Sequence, residues 1–148
     1  MTNIALDSNV LLYAEGIGDA GKKAIADRLA KLLPAEETYI SVQVVGELYN
    51  VLVKRGRSRE RAQAAALFWF NTFSMIGTTP DLMLRAVDLA TRHRLKIWDA
   101  LILSAAAEAN CSVLLSEDFQ DGFAWNGITV CNPFAAKPHP LVADLLRE

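Results

Sequence analysis

The carboxylates are the residues of this chain whose placement invites a chemical reading. Asp7 directly follows the apolar run Ile4-Ala5-Leu6, and Asp118 lies in the polar stretch Ser116-Glu117-Asp118-Phe119-Gln120-Asp121-Gly122 after Val113-Leu114-Leu115. Asp99 interrupts an otherwise apolar segment, Ile97-Trp98-Asp99-Ala100-Leu101-Ile102-Leu103. A carboxylate there needs a charged partner, a metal or dense hydrogen bonding, because burying it alone is costly. Glu47 shares a helical stripe with Gln43, Asn50 and Lys54. Each acid also has a plain reading. Asp7 and Asp99 can cap the helices that follow them, Glu47 can belong to a solvated face, and Asp118 can sit in a turn. No covalent chemistry competes: His93 and His139 fall in no nucleophile–base arrangement, and no Gly-x-Ser-x-Gly or Cys-His signature is present.

These acids must be positioned by an alternation of short strands and helices. Apolar runs at Ile4–Leu6, Thr38–Ile40, Ser74–Ile76, Val113–Leu115 and Ile128–Val130 read as strands. Helical patterns start at Ser8, run over Lys22–Leu33 up to Pro34, and cover Val42–Lys54 with Ser41 as cap and Gly56 as stop. Further helices are predicted from Ser58 to about Phe73, from Pro80 to about His93, and from Asp99 to Ala109. Such alternation implies a three-layer α/β fold whose central parallel sheet has about four or five short strands covered on both faces. Ligands of such sheets bind beyond the carboxyl ends of the strands, where Asp7 and Ser116-Glu117-Asp118 fall. Residues 1–133 form the expected domain. Residues 134–148 form a tail, Pro-rich and then helix-like in Leu141–Leu146, expected to pack on the domain or on a second subunit.

The 148 residues carry a formal net charge of -2 and are 52% hydrophobic, enough for one core without staples. This balance excludes nucleic-acid binding by bulk positive charge; any such role needs a local patch, a bound metal or a partner's charge. Cys111 and Cys131 supply neither a disulfide framework nor zinc spacing. The N-terminus lacks a basic start and a long apolar run, and the longest apolar stretch is broken by Asp99, Glu108 and Asn110, so the expected compartment is a reducing cytoplasm with no membrane span.

In combination the acidic segments resemble a known family. Ala5-Leu6-Asp7-Ser8-Asn9-Val10-Leu11-Leu12-Tyr13 is similar to the opening of PIN domains, Ser41–Leu48 to their second acidic motif, Trp98-Asp99-Ala100-Leu101-Ile102 to the third, and Leu114–Phe119 to the fourth. The four motifs stand in family order from about Ile4 to Pro133, and the small size and the opening resemble VapC-type toxins of toxin–antitoxin pairs. The resemblance implies a PIN-like three-layer fold, magnesium or manganese, cleavage of RNA, a homodimer and a small antitoxin that blocks the site. It implies Asp7 and Asp99 as the firmest metal ligands and Asp118 next. Glu47 is implied to act directly or through a water, or to position the nucleophile. Asn9 and Ser116 would orient carboxylates or contact phosphate, with Asp121 and Glu117 as helpers. The chemistry is coherent: hard oxygen donors suit magnesium and manganese, and only a bound cation makes an acidic cluster hospitable to an anionic phosphodiester.

Two basic clusters, Lys54-Arg55-Gly56-Arg57-Ser58-Arg59 and Arg92-His93-Arg94-Leu95-Lys96, follow predicted helices. They can complement helix C-termini or, through Arg55, Arg57 and Arg94, contact RNA phosphates. Phe68-Trp69-Phe70 and Phe73 cannot all face one core, since successive helical positions point about 100° apart; they fit a helix buried on most sides, or an apolar groove or dimer patch that an antitoxin helix could occupy. Two alternatives stand. A haloacid-dehalogenase-like phosphatase would want an Asp where Asn9 stands and a downstream Lys. A PIN-like binding module without metal would have no use for all four acids.

Overall fold

A computed structural model describes residues 3–147. The outer limits of the expected domain and tail, Met1–Thr2 and Glu148, lie outside the described residues. In chain order the elements are β1 (Asn3–Leu6), α1 (Ser8–Ala14), α2 (Ala20–Leu32), a single 3-10 turn, β2 (Thr38–Ser41), α3 (Val42–Lys54), α4 (Arg59–Thr72), β3 (Ser74–Ile76), α5 (Pro80–His93), α6 (Ile97–Glu108), β4 (Cys111–Leu115), β5 (Ala124–Trp125), β6 (Ile128–Cys131) and α7 (Pro140–Leu145).

The strands form one sheet in the order β3-β2-β1-β4-β6-β5. All pairs are parallel except β5–β6. The sheet thus has six strands, not four or five, and it ends in an antiparallel hairpin. The extra strand is only two residues long, too short for a periodic signal. The turn behind it, Asn126-Gly127, takes positive φ at both positions, the backbone that tight hairpins require.

Helix α1 packs on α2 and α3, and α3 on α4; separately, α5 packs on α6, which crosses β2, β3, β4 and β6. Right-handed crossovers place the first group on one face of the sheet and the second on the other. Helix α6 is buried without interruption from Ala100 to Ala106, which explains why its sequence is apolar on every side. The strands are apolar for the same reason: β1 and β4 are each buried over their last three residues.

Local signals set the helix ends. Asp19, Ser41, Ser58 and Thr79 each cap a helix through a side-chain oxygen. Gly56 (φ +98°) closes α3, with the Arg57 N–H donating to Leu52 O. Helix α6 begins two residues before Asp99, with Lys96 at the cap position and no side-chain capping bond. Asp99 therefore lies in the first turn, and capping is not its role. At the chain end, Val142 is fully buried and Arg28 Nη2 donates to Leu146 O at 2.7 Å, which seats α7 on the body of the domain beside α2.

Candidate metal centre

Register brings the acids together. The Asp7 N–H donates to Leu115 O at 3.0 Å, and the Ser116 N–H donates to Cys131 O at 3.1 Å. The ladder thus runs on past the ends of β1, β4 and β6, and sets Asp7 beside Ser116. Asp7 is 1% exposed. Its Oδ1 accepts from the Ser8 N–H at 2.7 Å and its Oδ2 from the Ser116 Oγ–H at 2.7 Å. It does cap α1, but one oxygen suffices for that, and the other is held toward the loop after β4.

Around Asp7 the polar side chains form a connected scaffold. Ser116 Oγ also accepts from Asn9 Nδ2 at 3.2 Å and from the Asp118 N–H at 3.1 Å. Asn9 Nδ2 reaches Asp118 Oδ2 at 3.2 Å, and Asn9 Oδ1 accepts from the Glu117 N–H at 3.4 Å. Glu47 arrives from α3: its Oε2 accepts from Ser8 Oγ at 2.9 Å and its Oε1 from Gln43 Nε2 at 2.7 Å. Asn9 and Ser116 thus hydrogen-bond the carboxylates of Asp7 and Asp118. Ser8 and Gln43 were not singled out by the sequence. Ser8 carried a signal, a hydroxyl directly after Asp7 at the start of a mostly apolar helix; Gln43 carried only its place one turn before Glu47.

The electrostatics show unrelieved negative charge. Burial pushes the Asp7 carboxyl up to about 6, against the hydrogen bonds from Ser116 and Ser8 and with help from the charges of Asp118 and Glu47. Asp99 is also raised, by burial first and then by Asp118, with Lys96 opposing and Glu47 adding to the rise. Asp7 and Asp99 therefore each feel the charges of Asp118 and Glu47, and among the described residues none of the four acids is in an ion pair. A hard divalent cation fits this donor set, with Asp7, Asp99, Asp118 and Glu47 as the residues that would hold it. As the side chains lie, no group of three acids among the described residues stands in metal-ligating geometry. Asp118 is exposed and Glu47 and Asp99 are half-buried.

Other candidate residues are placed elsewhere or otherwise engaged. Glu117 accepts from Tyr13 Oη and pairs with Lys22 Nζ at 2.8 Å. The Lys22 ammonium also stands over the Tyr13 and Phe134 rings. Glu117 thus ties the loop after β4 to α1 and α2. Asp121 Oδ1 accepts from the Asn132 N–H at 2.8 Å, bridging the ends of the β5–β6 segment rather than joining the acidic cluster. Arg57 pairs with Glu15 at 2.6 Å, and Trp69 Nε1 donates to the other oxygen of Glu15 at 2.8 Å. This knot ties the end of α3 to α1 and α4. Arg55 lines a cavity of about 320 Å³ together with Ser8, Asn9, Tyr13 and Asp118. Arg94 is exposed at the left-handed end of α5 (φ 55°). A larger cavity of about 460 Å³, bordered by α5, α6 and the β5–β6 turn, contains none of the four acids and has no part in this chemistry. Cys111 and Cys131 are buried free thiols.

A mostly parallel, two-sided α/β sheet with acids gathered beyond its carboxyl edge defines the class of protein. Within that class the chain belongs to the PIN domain family, whose model matches residues 4–123. This membership removes the haloacid-dehalogenase-like alternative. No curated protein matched the chain. Among solved structures, the VapC20 toxin of Mycobacterium tuberculosis, described as cleaving the sarcin–ricin loop, is similar with a TM-score of 0.66 and 22% identity over 76% of this chain and 87% of its own. A toxin–antitoxin complex from Klebsiella pneumoniae gives 0.67 and 23%, over 89% and 98%. VapBC2 from Rickettsia felis, bound to promoter DNA, gives 0.63 and 19%, over 87% and 97%. At these identities the likeness is one of fold.

Proposed function

We propose that this protein is a magnesium- or manganese-dependent endoribonuclease, the toxin of a toxin–antitoxin pair, acting in the cytoplasm as a homodimer. The observation that carries the nuclease reading is Asp7. It is a buried carboxylate held by two hydrogen bonds, under the charges of Asp118 and Glu47, and among the described residues it is paired with no cation. A fold keeps such a destabilising cluster only where something cationic relieves it. A bound divalent cation would supply a water of lowered pKa and stabilise charge on the phosphate and the leaving oxygen. The chain's own residues then have distinct tasks. Asp7 and Asp99 hold the cation, Asp118 and Glu47 complete its surroundings or position the attacking water, and Ser116, Asn9 and Ser8 keep the carboxylates turned inward.

The toxin assignment leans on the solved complexes named above and on a groove of about 360 Å³ between α1, α2 and α4, lined by Ala14, Ala30, Phe68 and Trp69 among others. Leu67 and Phe68 are more than half exposed, which suits an amphipathic helix of an antitoxin. No helix among the described residues is long and apolar enough to cross a membrane.

The test is cleavage of a labelled mixed RNA pool with manganese or magnesium, with EDTA, and with Asp99→Asn prepared in parallel. Cleavage is expected to require the metal and to vanish in the variant. Equal cleavage by the variant, or in EDTA, would sink the proposal. A second reading, a PIN-like binding module without catalysis, is favoured by one observation: the acids do not yet converge. Absence of both cleavage and manganese binding would establish it.

A further inference from the structure

We propose that Trp98 is a stacking platform for a nucleobase of the substrate strand, set immediately beside the carboxylates; the proposal rests on the nuclease reading above. Trp98 is 57% exposed although it lies in the first turn of α6, the most deeply buried helix among the described residues. Its neighbours behave differently: Ile97 packs against the core, Asp99 feels the charges of Asp118 and Glu47, and Ala100 is buried. With about 100° between successive positions, the indole is the one side chain of this turn left facing outward.

It does not face open water alone. Trp98 lines a shallow depression of about 420 Å³ whose other walls are Gln43, Gly46, Glu47 and Asn50, one face of α3. Three features there point to a ligand. First, Gly46 sits inside a helix, where it costs about 1 kcal/mol relative to Ala, yet a Cβ at that position would meet nothing within 4 Å. Nothing within the chain itself requires the glycine, which leaves the floor flat. Second, Gln43 is oriented by Glu47: its Nε2 must face the carboxylate, and its Oε1 is left buried without a partner. An orphaned acceptor of this kind is costly until a donor satisfies it. Third, Glu47 is common to this depression and to the acidic cluster, so anything bound on Trp98 lies next to the reacting phosphate. A nucleobase offers a π-face for the indole and, once the Gln43 amide turns outward, an N–H edge for its oxygen. An apolar protein surface would cover the indole and leave Gln43 unsatisfied. Such stacking needs an unpaired base, because the faces of paired bases are already stacked.

The experiment measures binding of labelled oligo(A), oligo(C), oligo(U) and an abasic ribose-phosphate oligomer of equal length, in manganese. It uses full-length protein silenced at Asp7→Asn, alone and combined with Trp98→Ala or Trp98→Phe. Trp98→Ala is expected to weaken the base-bearing oligomers about tenfold, to leave the abasic oligomer unchanged, and to be largely rescued by Trp98→Phe. An equal loss on abasic and base-bearing oligomers, or no loss, overturns the proposal while metal-dependent cleavage by the wild type still stands. A change in mass at equal concentration on Trp98→Ala would assign the indole to contact between copies instead. Failure of every oligomer to bind, together with no cleavage, brings down the nuclease reading and this subsite with it.

Discussion

Asp7 shows how a single residue can carry a structural and a chemical assignment at once. It caps α1 through one oxygen and is held by Ser116 through the other, at a position that water barely reaches. Its carboxyl is raised to about 6, so in the metal-free protein ionisation is disfavoured by folding. The sign follows: this contribution to stability is full below the unfolded value near 4, is lost as pH rises toward about 6, and stays lost above it. The difference in stability between wild type and Asp7→Asn should therefore change by on the order of 3 kcal/mol between pH 4 and 7. It should become flat when manganese is added, as followed by urea melts. A difference independent of pH in the metal-free protein would refute the assignment. Ser116 is the companion case. It is fully buried and joins Asp7, Asn9 and Asp118 through one hydroxyl. Ser116→Ala should cost roughly 1–3 kcal/mol in stability and weaken manganese binding about 10–100-fold in calorimetric titration.

At the scale of elements, the helix ends decide which basic residues are free. The sequence offers Arg55 and Arg57 as equivalent candidates for phosphate contact. The fold separates them: Arg57 is locked in the Glu15–Trp69 knot, whereas Arg55 lines the cavity next to Asn9 and Asp118. Arg55→Ala should weaken RNA binding and reduce the slope of affinity against salt by about one phosphate contact. Arg57→Ala should leave that slope unchanged and instead cost roughly 2 kcal/mol, because Glu15 is left half-buried without its cation. Equal salt slopes for the two variants would show that the helix ends do not sort these residues. The same reasoning explains Glu117. One residue from Asp118 in sequence, it is spent on Tyr13 and Lys22, where it holds the site loop against two helices.

For the molecule as a whole, two features finish the domain beyond the parallel sheet. The β5–β6 hairpin closes one edge, and α7 covers part of the body through Val142. The chain leading into α7 matters to the site as well: Phe134 meets Tyr13 edge-on, with centroids 4.8 Å apart, and Tyr13 in turn holds Glu117. Val142→Ala should lower stability by roughly 2 kcal/mol if α7 completes its own domain, with the same loss at high and low protein concentration. A loss that appears only at low concentration would mean that α7 is stabilised by a second copy.

Much of this was legible in the sequence for a simple reason. Alternation of apolar strands and amphipathic helices is a local pattern, and so are caps such as Ser41 and Ser58 and the stop at Gly56. Asp7 and Asp118 were legible because chain direction alone puts the residue after a parallel strand at the binding edge. What the sequence could not decide is which polar groups meet across large separations. Ser8 reaching Glu47, Asn9 reaching Asp118, and Arg57 reaching Glu15 are pairings between elements far apart in the chain, set by sheet order and helix packing. The extra strand β5 escaped because two residues carry no period. Trp98 read as one more apolar residue of an apolar segment, and only the packing of α6 beneath it shows that the indole is left outside. Residue type and local spacing thus determined the elements and the edge where the acids lie. Tertiary structure decided which of the neighbouring charges and aromatics are free to act, because freedom depends on what else the fold has placed within reach.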